Sequence, residues 1–230
     1  MKKSIILITL CLLALTISAV HAQTPVNDQL ALIGNSRSLW IQEAFGLWGF
    51  TVTDLDRNGR LEIISASVQG TGFYTNIIAF EVNEAGNALV EVEQDRKEGD
   101  SAPDIMVDKA PMYFDETAGI RYYIFSDLIR NGYQESYENI RAVSLENGVW
   151  KEKPLAFKTT LFTDNSEGTS TYTNPAGESI TRFQYQNAAE EAFAPLKAEE
   201  FRMNWQMTDT EAFNAMSPAD LTAALTSAVK

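Results

Sequence analysis

The chain is nearly devoid of cysteine and histidine. In 230 residues Cys11 and His21 are the sole examples, and both lie in the first 22 positions. Beyond that segment no disulfide, thiolate nucleophile, zinc-finger ligand set or Ser-His-Asp relay can be assembled. Positive charge is also scarce. Eighteen basic residues stand against 31 acidic ones, a net charge of −13, which gives a nucleic acid or an anionic membrane no electrostatic hold. Thirteen glycines and seven prolines are too few for a linker-dominated chain, and 45% hydrophobic content is that of an ordinary globular core. The chemistry left to such a chain belongs to carboxylates, hydroxyls, lysine, tyrosine and hard, oxygen-bound cations.

The one long apolar run is N-terminal. Met1-Lys2-Lys3 is followed by Ile5 to Ala19, and Val20-His21-Ala22 places small residues at the −3 and −1 positions of a cleavage site. The run is shorter than the roughly 20 residues that span a bilayer, and polar Gln23-Thr24-Pro25 follows it, so a removed leader is favoured over an uncleaved anchor. Cys11 lies too early to be a lipidated first residue. Residues 1–22 are therefore expected to be a signal peptide, with a secreted or periplasmic product and no stable membrane insertion. Taking Lys2 and Lys3 from the 18 basic residues leaves 16 against 31 acidic, a charge of −15.

Residues 23–46 read as helical, with Leu30, Ile33, Trp40 and Ile41 near three-four spacing and a break at Gly34-Asn35-Ser36. From Leu47 the period becomes two. Trp48, Phe50 and Val52 mark one strand, Leu61 to Val68 a second, Tyr74 to Val82 a third and Ala88 to Val92 a fourth. Residues 94–110 are polar and read as a loop or soft boundary. Ile120 to Phe125 and Tyr137 to Leu145 are further strands, and Asn147-Gly148 turns the chain tightly into Val149-Trp150. In the mixed C-terminal region, 166–230, Thr181 to Gln184 has capping-box spacing and opens a helix to about Ala194. Phe201, Met203, Trp205 and Met207 alternate as one strand, and Ser217-Pro218 starts a helix with an apolar stripe from Leu221 to Val229. The expected fold is mainly β (α+β), with an antiparallel β region over 47–165 and helices at both ends.

Asp54-Leu55-Asp56-Arg57-Asn58-Gly59-Arg60-Leu61-Glu62 carries the chemistry. Oxygen side chains recur at every second position, a glycine permits a tight turn, and a second acid closes the segment. Calcium takes six to eight oxygens at about 2.3–2.6 Å from a chain that curls around it. Asp54, Asp56, Asn58 and Glu62 would supply side chains, and Arg60 only its backbone carbonyl. The bidentate glutamate of an EF-hand would fall on Ser65, and the flanks are strands, so this is not an EF-hand. The plain alternative is a solvated hairpin turn, since Asp, Asn and Gly are turn residues in any case.

The loop resembles the calcium loop of the FG-GAP/VCBS repeats, the integrin-α-propeller type, whose Asp-x-Asp-x-Asp-Gly-x-x-Asp pattern sits between two strands of a blade. Asn58 replaces the third Asp and Glu62 the last, which removes one negative charge and should weaken the affinity. The resemblance is close over 50–66 and loose over 45–160. It implies Ca²⁺ as the ligand and propeller-blade-like sheets. One loop in about 208 residues does not supply the four blades of a closed propeller, so an open or partial propeller is expected.

The function expected from these residues is that of an exported, non-enzymatic binding or structural module whose partner is an unknown protein or a glycan. The alternative is a carboxylate-dependent hydrolase of glycans or phosphoesters. Phe50 to Asp56 also resembles the nucleophile strand of haloacid-dehalogenase-type phosphatases, but a strand rather than a helix follows and no α/β alternation appears. No glycosidase pair of carboxylates stands out. Among Trp40, Trp48, Trp150 and Trp205, the apolar strand registers of Trp48 and Trp205 favour core packing for those two. Trp150, beside the Asn147-Gly148 turn, is the one expected to be exposed. Gly70-Thr71-Gly72 has no helix after it to make a phosphate cradle.

Overall fold

The structure, a computed structural model, describes residues 24–42, 46–68, 74–96, 102–163 and 168–229. The leader segment, with Cys11 and His21, and the Gly70–Gly72 segment lie outside the described residues. Among the described residues twelve strands form two sheets, and six helices cover their outer faces.

The first sheet is a meander of β1 (Trp48–Thr53), β2 (Glu62–Val68), β3 (Thr75–Val82) and β4 (Leu89–Glu91). The distant β12 (Gln206–Thr208) is added beside β1, and all pairs are antiparallel. The second sheet runs β10 (Gly168–Thr173), β9 (Val149–Phe162), β8 (Glu135–Glu146), β7 (Ile120–Asn131), β6 (Lys109–Asp115) and β11 (Ala198–Arg202). It is antiparallel except for the short β5 (Glu93–Asp95), which lies parallel to β9.

These sheets make four layers. Helices α1 (Val26–Asn35), α2 (Arg37–Trp40), α5 (Thr210–Ala215) and α6 (Pro218–Ala228) cover one face of the first sheet. Trp40 and Phe213 from the helices meet Trp48 and Phe50 from β1 with ring centroids 5.0–6.5 Å apart. The other face of that sheet packs on the second sheet through Ile64, Ala66, Ile77 and Ala79 against Tyr123, Phe125, Val143 and Leu145. On the outer face of the second sheet, α3 (Arg182–Gln186) and α4 (Ala188–Ala192) pack with Phe193 stacked on Tyr113. Because β1 and β2 are covered on both faces, their nominally polar positions are buried too. Thr51, Thr53, Glu62 and Ser65 are all at most 2% exposed.

Several expectations are corrected. Trp150 is 2% exposed, because the turn after Asn147-Gly148 sends its ring into the core between the sheets. It therefore offers no platform to a sugar. The apolar alternation over 201–207 is not one strand. Phe201 lies on β11 in the second sheet and Met207 on β12 in the first, so the chain crosses between layers at Met203 to Trp205. Gly49 allows this crossing: a Cβ there would meet Met207 Sδ at 2.9 Å and Trp205 at 3.2 Å. The polar stretch 94–110 contains the end of β5 and the start of β6, and the helix from Thr181 breaks at Asn187 into α3 and α4. The capping boxes at Thr181 and Ser217 are both formed. Among the described residues no helix is long and apolar enough to cross a membrane.

Candidate metal centre

Thr53 and Glu62 face each other as the last paired residues of β1 and β2, so the loop closes a hairpin. Its own carboxylates shape it. Asp54 accepts from the Gly59 amide at 3.2 and 3.3 Å, and Asp56 accepts from the Asn58 amide at 3.2 Å. Two residues adopt the left-handed conformation, Arg57 at φ +61° and Gly59 at φ +83°. Glycine suits the second, since it has no Cβ to clash there.

Both neighbouring layers hold the loop. Leu55, 2% exposed, is anchored in the core between the sheets, and its carbonyl accepts from the Tyr123 hydroxyl at 2.6 Å. From the helical side, Gln29 of α1 donates to the Gly59 carbonyl at 3.0 Å and accepts from the Leu61 amide at 2.8 Å. The loop is thus a fixed part of the fold.

Asp54, Asp56 and Glu62 converge. One carboxylate oxygen from each lies within 4.8 Å of the others. Glu62 is 1% exposed, and its Oε2 accepts from Thr53 Oγ1 at 2.9 Å and the Leu55 amide at 2.8 Å. Its Oε1 is buried with no hydrogen-bond partner. Such an orphan acceptor is unfavourable by about 1–3 kcal/mol. Burial pushes the Glu62 carboxyl well above the ordinary carboxylate range, the Thr53 and Leu55 hydrogen bonds pull it back, and the Asp56 and Asp54 charges add to the rise. Asp56 is raised as well, first by burial and then by the nearby Glu81 and Asp54 charges, against the pull of the Asn58 amide.

The other two expected ligands are oriented differently. Asn58 Oδ1 accepts from the Arg60 amide at 2.7 Å, while its Nδ2 donates to Asp56 at 2.8 Å and to Glu81 at 2.7 Å. Its amide therefore offers the carboxylates a donor. The Arg60 guanidinium is directed to Glu81, at 2.9 and 3.0 Å, which leaves only its main-chain carbonyl for coordination. Glu81 itself was not apparent in the loop pattern. It is the cross-strand neighbour of Glu62, with a side chain 8% exposed. The signal for it was the single charge interrupting the otherwise apolar end of β3. Gln29 had no such signal, because only packing of α1 brings it to the loop.

Comparison of the chain with protein-family models, curated proteins and solved structures gave no match. The chemistry of the loop therefore stands on its geometry. Three carboxylates, one of them buried and with an oxygen lacking any donor, form a donor set that fits a hard divalent cation. Bound there, Ca²⁺ would satisfy the Glu62 Oε1 acceptor and relieve the mutual repulsion of the three acids.

Proposed function

We propose that the protein is an exported, β-rich binding module, without catalytic machinery of its own, whose β1–β2 loop binds Ca²⁺. Asp54, Asp56 and Glu62 are the ligands with side chains in position. The Arg60 carbonyl and a rotated Asn58 amide complete the oxygen set. The observation that carries this reading is the buried, unpartnered Oε1 of Glu62 beside two further carboxylates. An uncharged hairpin turn has no use for such an arrangement, since polar turn residues remain solvated.

The position of the loop supports the likeness to a propeller-type unit. It joins the first two strands of a four-stranded antiparallel meander, β1 to β4, which is the topology of a single blade. The N-terminal leader pattern supports export, and a calcium-rich exterior is where a weak site is filled.

Calorimetric titration of the purified protein with CaCl₂ tests the reading. A dissociation constant on the order of 10⁻⁴ to 10⁻³ M is expected, as for extracellular modules. Mg²⁺ should bind more weakly, because it demands near-octahedral geometry at about 2.1 Å. Asp56→Ala should abolish the heat. Absence of calcium binding by the folded wild-type protein would refute the proposal.

A further inference from the structure

The outer face of the second sheet carries three cavities that join end to end. One, of about 480 Å³, is lined by Lys109, Pro111, Ile124, Leu128 and Glu138 among others. A second, of about 280 Å³, shares Glu138 and continues over Lys158, Tyr172, Arg182 and Tyr185. A third, of about 420 Å³, shares Lys109 and Pro111 and reaches Ala198 and Glu200. The strand registers explain the continuity. Leu128 faces Glu138, Glu138 faces Lys158, and Lys158 faces Tyr172, so these four side chains form one row across β7, β8, β9 and β10. The trough thus crosses six strands, β11 to β10, about 24 Å at the usual spacing of neighbouring strands. Helix α3 walls one end through Tyr185, whose ring lies 5.2 Å from that of Tyr172.

The lining is mixed in character. Its charged side chains include two cross-strand pairs, Glu138 with Lys158 and Lys109 with Glu200 at 3.1 Å, together with the acids Asp104 and Glu199, which have no ion pair among the described residues. Between the pairs lie apolar steps, Pro111, Ile124 and Leu128, and then the Tyr172 ring. Arg182 is exposed on the rim, with no ion pair among the described residues. Acidic and basic side chains are interspersed along the trough, which leaves no single-sign field for an ionic ligand, and a net charge of −13 repels polyanions. They do offer acceptors and donors side by side, which suits hydroxyl groups that both donate and accept. The apolar steps suit the C–H faces of sugar rings. An extended peptide is a poorer match, because it would add along a free strand edge and this trough runs across the strands.

We propose that this trough binds a neutral polysaccharide chain laid across the second sheet, with Glu138, Lys158 and Arg182 hydrogen-bonding its hydroxyls and Tyr172 packing against a ring. This site is separate from the β1–β2 loop, so the two readings fail independently.

The test is calorimetric titration of the whole protein with four neutral hexasaccharides: β-1,4-glucan, β-1,4-xylan, α-1,4-glucan and β-1,4-linked N-acetylglucosamine. Saturable binding of at least one is expected, tighter than about 1 mM, and it should persist in EDTA. Arg182→Ala and Glu138→Gln should each weaken it about tenfold or more, one factor of ten being 1.4 kcal/mol. Arg182 is exposed, so its variant should keep the wild-type melting temperature. Val90→Ser, on the edge of the first sheet, should bind as wild type does. Binding of none of the four, or binding unchanged in both trough variants, overturns the proposal. So does a preference for extended peptides over all four glycans.

Discussion

Glu62→Gln exchanges the buried carboxylate for an amide of the same shape. The amide oxygen can keep the hydrogen bonds from the Leu55 amide and Thr53 Oγ1 that Oε2 accepts now. The amide nitrogen then occupies the place of the orphan Oε1, with Asp54 and Asp56 as acceptors in the same cluster, where one carboxylate oxygen of each residue lies within 4.8 Å of the others. An unsatisfied acceptor and a buried charge are removed together. In EDTA the variant should therefore be more stable than wild type, by about 1–2 kcal/mol out of the 1–3 that an orphan buried group costs. For a chain of this size that corresponds to about 2–8 °C in melting temperature. Calcium offsets this difference. At about 10 mM, with the affinity range expected for such a loop, wild type gains RT ln(1 + [Ca²⁺]/Kd), about 1.4–2.7 kcal/mol or about 3–11 °C, and the variant gains nothing. Thermal unfolding followed by circular dichroism, with and without calcium, reads both effects. A variant less stable than wild type in EDTA that still shows the full calcium shift would refute the reasoning.

Gln29→Leu removes two hydrogen bonds from α1 to the loop and leaves the Leu61 amide without its acceptor, so urea unfolding should give a loss of about 1–3 kcal/mol and calcium binding should weaken. A loss too small to resolve from zero would show that α1 does not support the loop. Asp127, buried in the second sheet, has its carboxyl raised to about 6 by burial, against the pull of Arg141 at 3.4 Å and the hydrogen bonds from Asn139. The folded state then holds the proton more tightly than the unfolded chain does. Its stabilising contribution is full below about pH 4, the ordinary carboxylate value, and is lost as pH rises through about 6, to the extent of about 3 kcal/mol. Asp127→Asn should remove that part of the slope, and unchanged denaturant curves between pH 4 and 6 would contradict it. Trp150→Ala opens a hole in the core between the sheets and should cost about 3–5 kcal/mol, whereas an exposed Trp would cost little in the same unfolding assay.

Much of this molecule is legible in one dimension because the interactions concerned are local. The alternation of Trp48, Phe50 and Val52, the turn at Asn147-Gly148 with both residues at positive φ, and the capping boxes at Thr181 and Ser217 depend on neighbours within a few positions. The same holds for Asp54, Asp56 and Glu62, whose convergence follows from an eight-residue loop between two paired strands.

Tertiary structure decided everything that depends on which face a second layer covers. A strand buried on one side and a strand buried on both differ only in what packs on them, so Thr51, Thr53 and Glu62 could be placed inside only once the second sheet was stacked on the first. Trp150 went inward for the same reason. The break at Met203 to Trp205 is invisible to periodicity, because both halves alternate correctly and merely join different sheets. Glu81 and Gln29 reach the loop from 19 residues after Glu62 and 30 residues before Gly59, through strand register and helix packing. The row Leu128–Glu138–Lys158–Tyr172 exists only because four strands pair in one register. Chain separation carries no information about such meetings; they are set by the burial of apolar surface that brings the layers together.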